Sequence, residues 1–390
     1  MKIAFLTPEY PHPNTGNSGG IGTSIKNLAI GLLAEGVEVR VLVYGQNEDS
    51  CFEDNGVFVQ TIKNVKLKGL SWFLTKKKIE KIINQLHSDN KIDVIEAPDW
   101  TGMTSFIKPD KCPLVIRLHG SDAYFCHMDN RPVKWINKFH EKRALQKADA
   151  LLSVSSYTAE TTNMVFGLNK SFTIIPNGID TNLFHFEKIA DTNEKQVLYF
   201  GSLIRKKGLL ELPLIFNKVI EKNPDAKLVL IGKDVPDVIS GNSSTWQMMQ
   251  SLFSDQAFKN VTYLGSIPYS KIKEKIEQAT VCVFPSFAEA FPLSWLEAMV
   301  MAKPIVASNI GWANEMIDDE VNGFLINPVN HSGFAQKISD ILNNEKMCLK
   351  IGKSARERVE KDYDIKGIAK QNIEFYKKMI NQNNNLRLWL

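Results

Sequence analysis

The sequence predicts an α/β protein of two doubly wound domains in series, followed by a helical end. Three observations predict it. Short β-branched runs alternate with amphipathic helical stretches over nearly the whole chain, as in a parallel sheet with helices on its faces. The alternation stops in a polar stretch near 185–195, "HFEKIADTNEK", and then starts afresh. From about 330 onward the chain reads as helix.

In the first domain the strand-like runs are KIAFLT, EVRVLVY, DVIEA, PLVIRLHG, ALLSVSS and FTIIPNG, with helical stretches at 22–36, 71–88 and 131–148. In the second they are QVLYFGSL, AKLVLIG, NVTYLG, TVCVFPS, KPIVASN and NGFLINP. Open α/β sheets bind ligands at the carboxyl ends of their strands, where phosphates meet helix N-termini. The loops that follow strands are therefore where chemistry is sought.

Bulk properties narrow the class. A chain of 390 residues has room for two domains, each with its own core, and 44% hydrophobic with 23% charged residues describes a soluble globular protein. The 47 basic and 43 acidic residues leave +4, too little for a nucleic-acid surface. Five cysteines without a CxxC pair read as free thiols in a reducing compartment, excluding a disulfide frame and a zinc site. The N-terminal apolar run is short, ends at Pro8 and suits a first strand better than a signal peptide. No apolar run approaches the ~18 residues that span a bilayer. The expectation is a cytoplasmic protein that touches a membrane only at its inner face, if at all.

Four loops carry candidate chemistry. "EAFPLSWLEAM", 289–299, sets Glu289 just after a strand and Glu297 among apolar residues, company that carboxylates seldom keep without a partner. Pro292 suits the first turn of a helix, whose free amides at Leu293 and Ser294 would seat a phosphate. Glu297 would then accept a ribose diol, with Glu289 reaching a sugar beyond the phosphates; the other reading is a buried helix with one glutamate paired to a lysine or arginine. "FGSLIRKKG", 200–208, offers Arg205, Lys206 and Lys207 to a diphosphate, or is a solvated basic turn. "YPHPNTGNSGGIGTS", 10–24, carries Gly19, Gly20 and Gly22 but is not GxGxxG, and no acidic residue ends the next strand, which disfavours dinucleotide binding. "RLHGSD", 117–122, places His119 at a strand's carboxyl end, with Asp122 read as a helix cap. "IIPNGID", 174–180, reads as a turn shaping the site. The one DxD, Asp362-Tyr363-Asp364, lies in a helical, charged region and not after a strand, so no metal site is expected.

Taken jointly, in their order along the chain over about 1–360, these residues resemble the retaining glycosyltransferases of family 4, whose E-x7-E motif matches Glu289 and Glu297. The resemblance implies a GT-B fold, two Rossmann-like domains facing a central cleft, with boundaries near 1–185 and 190–362 and a last helix, 363–390, crossing back to the first domain. It implies that Glu297 holds the nucleotide ribose, Glu289 the donor sugar, and the amides near Leu293 and Ser294 the β-phosphate, which Gly20 approaches from the first domain. Lys207 matches the family's phosphate-binding lysine, and His119 lies beside the transferred sugar. One position departs: the family's arginine slot is Ser202 here, and Arg205 is the candidate replacement.

The implied reaction moves a sugar from a nucleotide-diphosphate donor, UDP- or GDP-sugar, to an acceptor hydroxyl of a carbohydrate or lipid-linked glycan. The anomeric configuration is retained, with no metal, no resident cofactor and no covalent nucleophile. Such chemistry serves glycan, glycolipid or cell-envelope polysaccharide assembly. Two rivals share the fold: a nucleotide-sugar epimerase and a catalytically silent nucleotide-sugar-binding protein. Separately, residues 63–81 carry seven lysines against Glu80, with Trp72, Phe73 and Leu74 between them, a composition suited to an anionic membrane surface or to a solvated helix face.

Overall fold

The apolar runs become two sheets. In the first, β1 (Lys2–Thr7), β2 (Glu38–Gln46), β3 (Ser50–Asp54), β4 (Val57–Lys63), β5 (Val94–Pro98), β6 (Leu114–Leu118), β7 (Ala150–Ser153) and β8 (Thr173–Ile174) lie in the order β3-β4-β2-β1-β5-β6-β7-β8. Every neighbouring pair is parallel except β3–β4, an antiparallel hairpin closed by Asn55 and Gly56 with φ of 50° and 85°. Helices α1 (Gly20–Ala34), α2 (Ser71–Ser88), α3 (Asp122–Met128), α4 (Trp135–Lys147) and α5 (Ser156–Phe166) connect them. One core joins Ile25, Leu28 and Leu32 of α1 to the strands, and a second joins Ile79, Ile83 and Leu86 of α2 to them.

The second sheet is wholly parallel. Its strands β9 (Gln196–Phe200), β10 (Lys227–Ile231), β11 (Val261–Tyr263), β12 (Val281–Phe284), β13 (Ile305–Ser308) and β14 (Phe324–Ile326) run in the order β11-β10-β9-β12-β13-β14. Its helices are α6 (Leu212–Lys222), α7 (Thr245–Gln250), α8 (Asp255–Phe258), α9 (Ile272–Gln278), α10 (Leu293–Val300), α11 (Ala313–Met316), α12 (His331–Leu342) and α13 (Glu345–Asp362). In both sheets the order reverses beside the first strand, the switch point at which doubly wound folds bind ligands. Each sheet with its helices is a Rossmann-like domain.

The computed structural model describes residues 1–16, 18–184 and 195–387, with side chains described through 382. The polar stretch read as a linker lies, but for Lys195, outside the described residues, as do 388–390 of the tail. The chain divides into Met1–Asp180 with Tyr363–Leu390, and Thr181–Asp362. The last helix, α14 (Ile365–Arg387), thus belongs to the first unit, where Ile368, Ala369 and Tyr376 join the core beneath α1.

A buried ion pair ties α14 to the sheet. Arg117 of β6 donates to both carboxylate oxygens of Glu96 on β5, at 2.7 and 3.0 Å, and to the Ile175 carbonyl at 3.2 Å. Tyr376 of α14 donates to Glu96 at 2.7 Å, and Asn372 accepts from Arg117. This fixes the end of β6 two residues before His119.

Candidate functional site

In the second unit, the loop after β9 and the loop after β12 are knitted together. Residues Arg205–Lys207 form one 3₁₀ turn, which Gly208 closes at φ 72°. A Cβ on Gly208 would stand 1.9 Å from the Pro285 carbonyl, so only glycine allows this approach. The Lys206 carbonyl accepts from the amides of Phe287 and Ala288 at 2.8 and 3.2 Å. The result brings Lys207 Nζ to 2.8 Å from Glu289 Oε1, with Ser286 Oγ donating to the same oxygen at 3.3 Å. Two residues assigned to different loops by sequence are thereby one cluster.

Helix α10 starts at Leu293, with Pro292 as its N-cap at ψ 120°. That corrects the expectation that Pro292 opens the first turn: its extended ψ keeps it outside the helix. Leu293 and Ser294 are half-buried at the first turn, where backbone amides lack intrahelical acceptors. Glu297 follows one turn on, buried between Trp295, Leu296, Ala298 and Met299. Its partner is neither lysine nor arginine: the Tyr269 hydroxyl donates to Glu297 Oε1 at 2.6 Å. Burial pushes the Glu297 carboxyl up to about 7, opposed by the Tyr269 hydrogen bond and the charge of Lys207.

Arg205 is differently engaged. It donates from Nε and from one terminal nitrogen to both oxygens of Asp237, at 2.9 and 2.8 Å, and this hydrogen-bonded pair holds the Asp237 carboxyl well below the usual range. Ser240 donates its amide to the same carboxylate at 2.9 Å. The fork expected to grip a diphosphate is therefore on a carboxylate, and Arg205 joins the loop after β9 to the loop after β10. Ser202, at the departed position, has its carbonyl held by the Tyr199 hydroxyl at 2.9 Å.

In the first unit, α1 begins at Gly20, two residues earlier than expected, so Gly20 and Gly22 sit in its first turn. Gly20 is exposed, with open space where a Cβ would stand. Glu9 already accepts the Gly22 amide at 2.9 Å, so an anion reaching Gly20 has a carboxylate for a neighbour. Ser24 donates to Asn177 at 2.6 Å, which fixes the PNG turn against α1.

His119 follows β6, its amide donating to Asp99 Oδ1 at 2.9 Å. Burial, with the Arg117 charge adding, pushes the imidazole down to about 3, so the ring is neutral near pH 7. Asp99 is itself pushed up to about 7, by burial first and also by the charge of Glu141. Glu141 is likewise raised to about 7 by burial while accepting from the amides of Thr101, Asp122 and Ala123. The cap of α3 is Ser121, which accepts from Tyr124, and not Asp122, the first helical residue. Sequence reasoning missed Asp99 and Glu141. Asp99 stands just after β5, so the strand-end rule applied to it; Glu141 is mid-helix and gave no signal.

Two family models match the chain: Glycosyl transferases group 1 over residues 180–358 and Glycosyltransferase Family 4 over 18–183. Among similar proteins, an uncharacterized glycosyltransferase of Methanocaldococcus jannaschii is 28% identical, covering 97% of this chain and 98% of its own. Alpha-maltose-1-phosphate synthase of Mycolicibacterium smegmatis is 25% identical, over 97% and 100%. Sucrose-phosphate synthase of Thermosynechococcus elongatus superposes with a TM-score of 0.79 at 21% identity, over 98% of this chain and 100% of its own. Anabaena HepE, solved with UDP-glucose, superposes with a TM-score of 0.74 at 21% identity, over 97% and 100%.

Proposed function

The chain belongs to the group 1 and family 4 glycosyltransferases, of GT-B fold, and we propose that it transfers a sugar with retention from a nucleotide-diphosphate donor. In this reading Glu297 takes the ribose diol and Glu289 takes hydroxyls of the donor sugar. Lys207 and the first amides of α10 take the diphosphate. The observation that carries it is the start of α10, where a lysine, two carboxylates one to two turns apart and free helix amides share one corner of the second unit. Lys207 and Glu289 form an ion pair; a diphosphate would draw the cation away and release the carboxylate for sugar hydroxyls.

The chemistry then needs no protein nucleophile. As the bond from the anomeric carbon to the diphosphate oxygen breaks, negative charge grows on the leaving phosphate, where a cation and oriented amides lower the barrier. The acceptor's hydroxyl attacks on the same face and passes its proton to that phosphate. Neutral His119 is suited to hydrogen-bond the sugar without repelling an oxocarbenium-like charge. UDP-sugars are the first donors to test, because HepE was solved with UDP-glucose; GDP-sugars are the second. The acceptor is a carbohydrate or lipid-linked glycan.

A thermal-shift panel of UDP, GDP, ADP and dTDP tests the donor half. A ligand at ~100 times its dissociation constant adds about 2.7 kcal/mol, a clear shift in a melt; no shift with any of the four would overturn the reading. Release of free nucleotide that depends on acceptor separates transfer from epimerisation and from silent binding.

Donor affinity should also depend on Glu297 ionisation. Ribose hydroxyls donate into a carboxylate, so below pH 7 the raised group must lose a proton before binding. Affinity is expected to fall about tenfold per pH unit below about 7 and to be flat above it. A nucleotide-sugar is the right ligand, since UDP itself carries a terminal phosphate that titrates near pH 6. Glu297→Gln should flatten the profile, and Glu297→Ala should cost roughly 1–3 kcal/mol of binding. Calorimetry from pH 5.5 to 8.5 that found a flat wild-type profile would remove Glu297 from the ribose.

Metal independence belongs to the same proposal. Asp362 pairs with Arg358 at 3.0 Å, and Asp364 accepts the Lys366 amide at 3.0 Å at the start of α14, so both aspartates have structural duties. Activity is expected to survive EDTA. Loss on chelation, restored by manganese or magnesium, would count against it.

A further inference from the structure

We propose that the face of the first unit where the starts of α2 and α4 meet docks on an anionic lipid surface. The sequence placed such a contact on 63–81 alone, and the structure redraws it. Lys76 points inward, its ammonium donating to Ser105 Oγ at 2.7 Å, while Lys77 pairs with Glu80 and Lys78 with Asp49. Those three lysines are not the contact. What α2 contributes instead is its first turn and the turn before it, where Leu67, Leu70 and Trp72 are each about half exposed, at 50%, 51% and 49%.

Helix α4 completes the patch. Trp72 packs edge-on against Phe106 at 5.6 Å and His140 at 5.5 Å, and Phe106 in turn meets Phe139 at 6.5 Å. Trp135 stands one turn before Phe139 on the same side of α4 and is 76% exposed, with Ile136 at 40%. A tryptophan left that open, one turn from Phe139 in a ring cluster that reaches Trp72 through Phe106, is more than scattered surface hydrophobicity. The rim is basic: Lys66, Lys68, Lys134 and Lys138 are all exposed.

Charge decides the occupant. Residues 63–72 and 131–140, which carry the patch, hold six lysines and arginines and no aspartate or glutamate, out of 47 basic and 43 acidic residues in the chain, leaving 41 against 43 elsewhere. The positive net charge therefore resides in the segments that bear the patch. A second copy would bring the same positive rim and be repelled. Aliphatic residues beside tryptophans suit the boundary between headgroups and acyl chains, where indole rings settle. Among the described residues no helix is long and apolar enough to cross a membrane, so this contact would be peripheral.

The test is co-sedimentation of the full chain with phosphatidylglycerol–phosphatidylcholine vesicles and with phosphatidylcholine alone. Binding to the anionic vesicles at low salt, lost at high salt, is expected. Lys134→Glu with Lys138→Glu should weaken it more than 20-fold, from about fivefold per lysine when each adds about 1 kcal/mol. Trp72→Ser with Trp135→Ser should abolish it while the circular dichroism spectrum stays that of the folded chain. Absence of binding by the unaltered chain at low salt, or binding that survives both double variants, overturns the proposal. So does a concentration-dependent dimer that the tryptophan variant dissolves, which would assign the face to a second copy. None of these outcomes depends on the donor site.

Discussion

Lys207→Ala is expected to lower turnover at saturating donor by about 10²–10³, the usual effect of deleting one group that stabilises developing charge. Its ammonium lies 2.8 Å from Glu289 and belongs to the turn that Gly208 closes against Pro285, so its position is set by backbone. In the proposed reaction the charge it would face is larger in the transition state than in the bound donor, hence kcat should fall more than donor affinity. The variant also strips Glu289 of its cation, which by itself could disturb the site. Lys207→Ala combined with Glu289→Gln removes that imbalance and should remain slow. A single variant within tenfold of the unaltered enzyme would end the assignment.

The two neighbours in the turn serve as comparisons. Arg205 is bound through two nitrogens to the buried Asp237, so Arg205→Ala leaves a carboxylate uncompensated. Its loss should appear first as a lower melting temperature and only then as slower turnover. If turnover instead falls 10²-fold with the melt unchanged, Arg205 does reach the phosphate and replaces the cation absent at Ser202. Lys206 contributes its carbonyl to the loop after β12, a contact that Lys206→Ala keeps.

Much of this was legible in the sequence, and for identifiable reasons. Parallel strands buried on both faces read as continuous apolar runs, so β5, β6, β9, β12 and β13 could be found without any partner being known. The β3–β4 hairpin was not found, although Asn55-Gly56 is the strongest short hairpin signal. Ser50–Asp54 is a polar edge strand with every other residue exposed, and it lacks the apolar run that marks the others. The loops of the candidate site could be singled out because open α/β sheets bind ligands at strand ends, but the contacts between those loops could not. Glu297 meets Tyr269 from 28 residues away and Lys207 meets Glu289 from 82, separations that no local pattern spans. The Arg205 partner was hidden for the same reason: Asp237 lies 32 residues on.

Arg117 passed unremarked inside PLVIRLHG, yet it supports the second large prediction. Arg117→Ala is expected to destabilise the first unit by about 3–5 kcal/mol, because it strands the Glu96 charge in a fully buried strand. Glu96 would keep the Tyr376 hydroxyl as a donor, and Asn372 would lose the guanidinium, so the anchorage of α14 should loosen along with the sheet. At about 2–4 °C per kcal/mol for a unit of this size, the melt should drop by roughly 6–20 °C. The α14 segment should become sensitive to protease before the rest. Removing both charges separates pairing from packing. Arg117→Met with Glu96→Leu fills similar volume without leaving an ion behind and should recover most of the lost stability. His119 makes the same pair of variants informative about function, since it follows β6 directly and takes its neutral state mainly from burial, with the Arg117 charge as the second cause. In the double variant that charge is gone, so the His119 proton affinity should rise while the ring stays buried and largely neutral at pH 7. Turnover should then survive with the recovered melt. A single Arg117→Ala variant that melts within 2 °C of the unaltered chain would show that α14 is held by apolar packing beneath α1 and not by the ion pair.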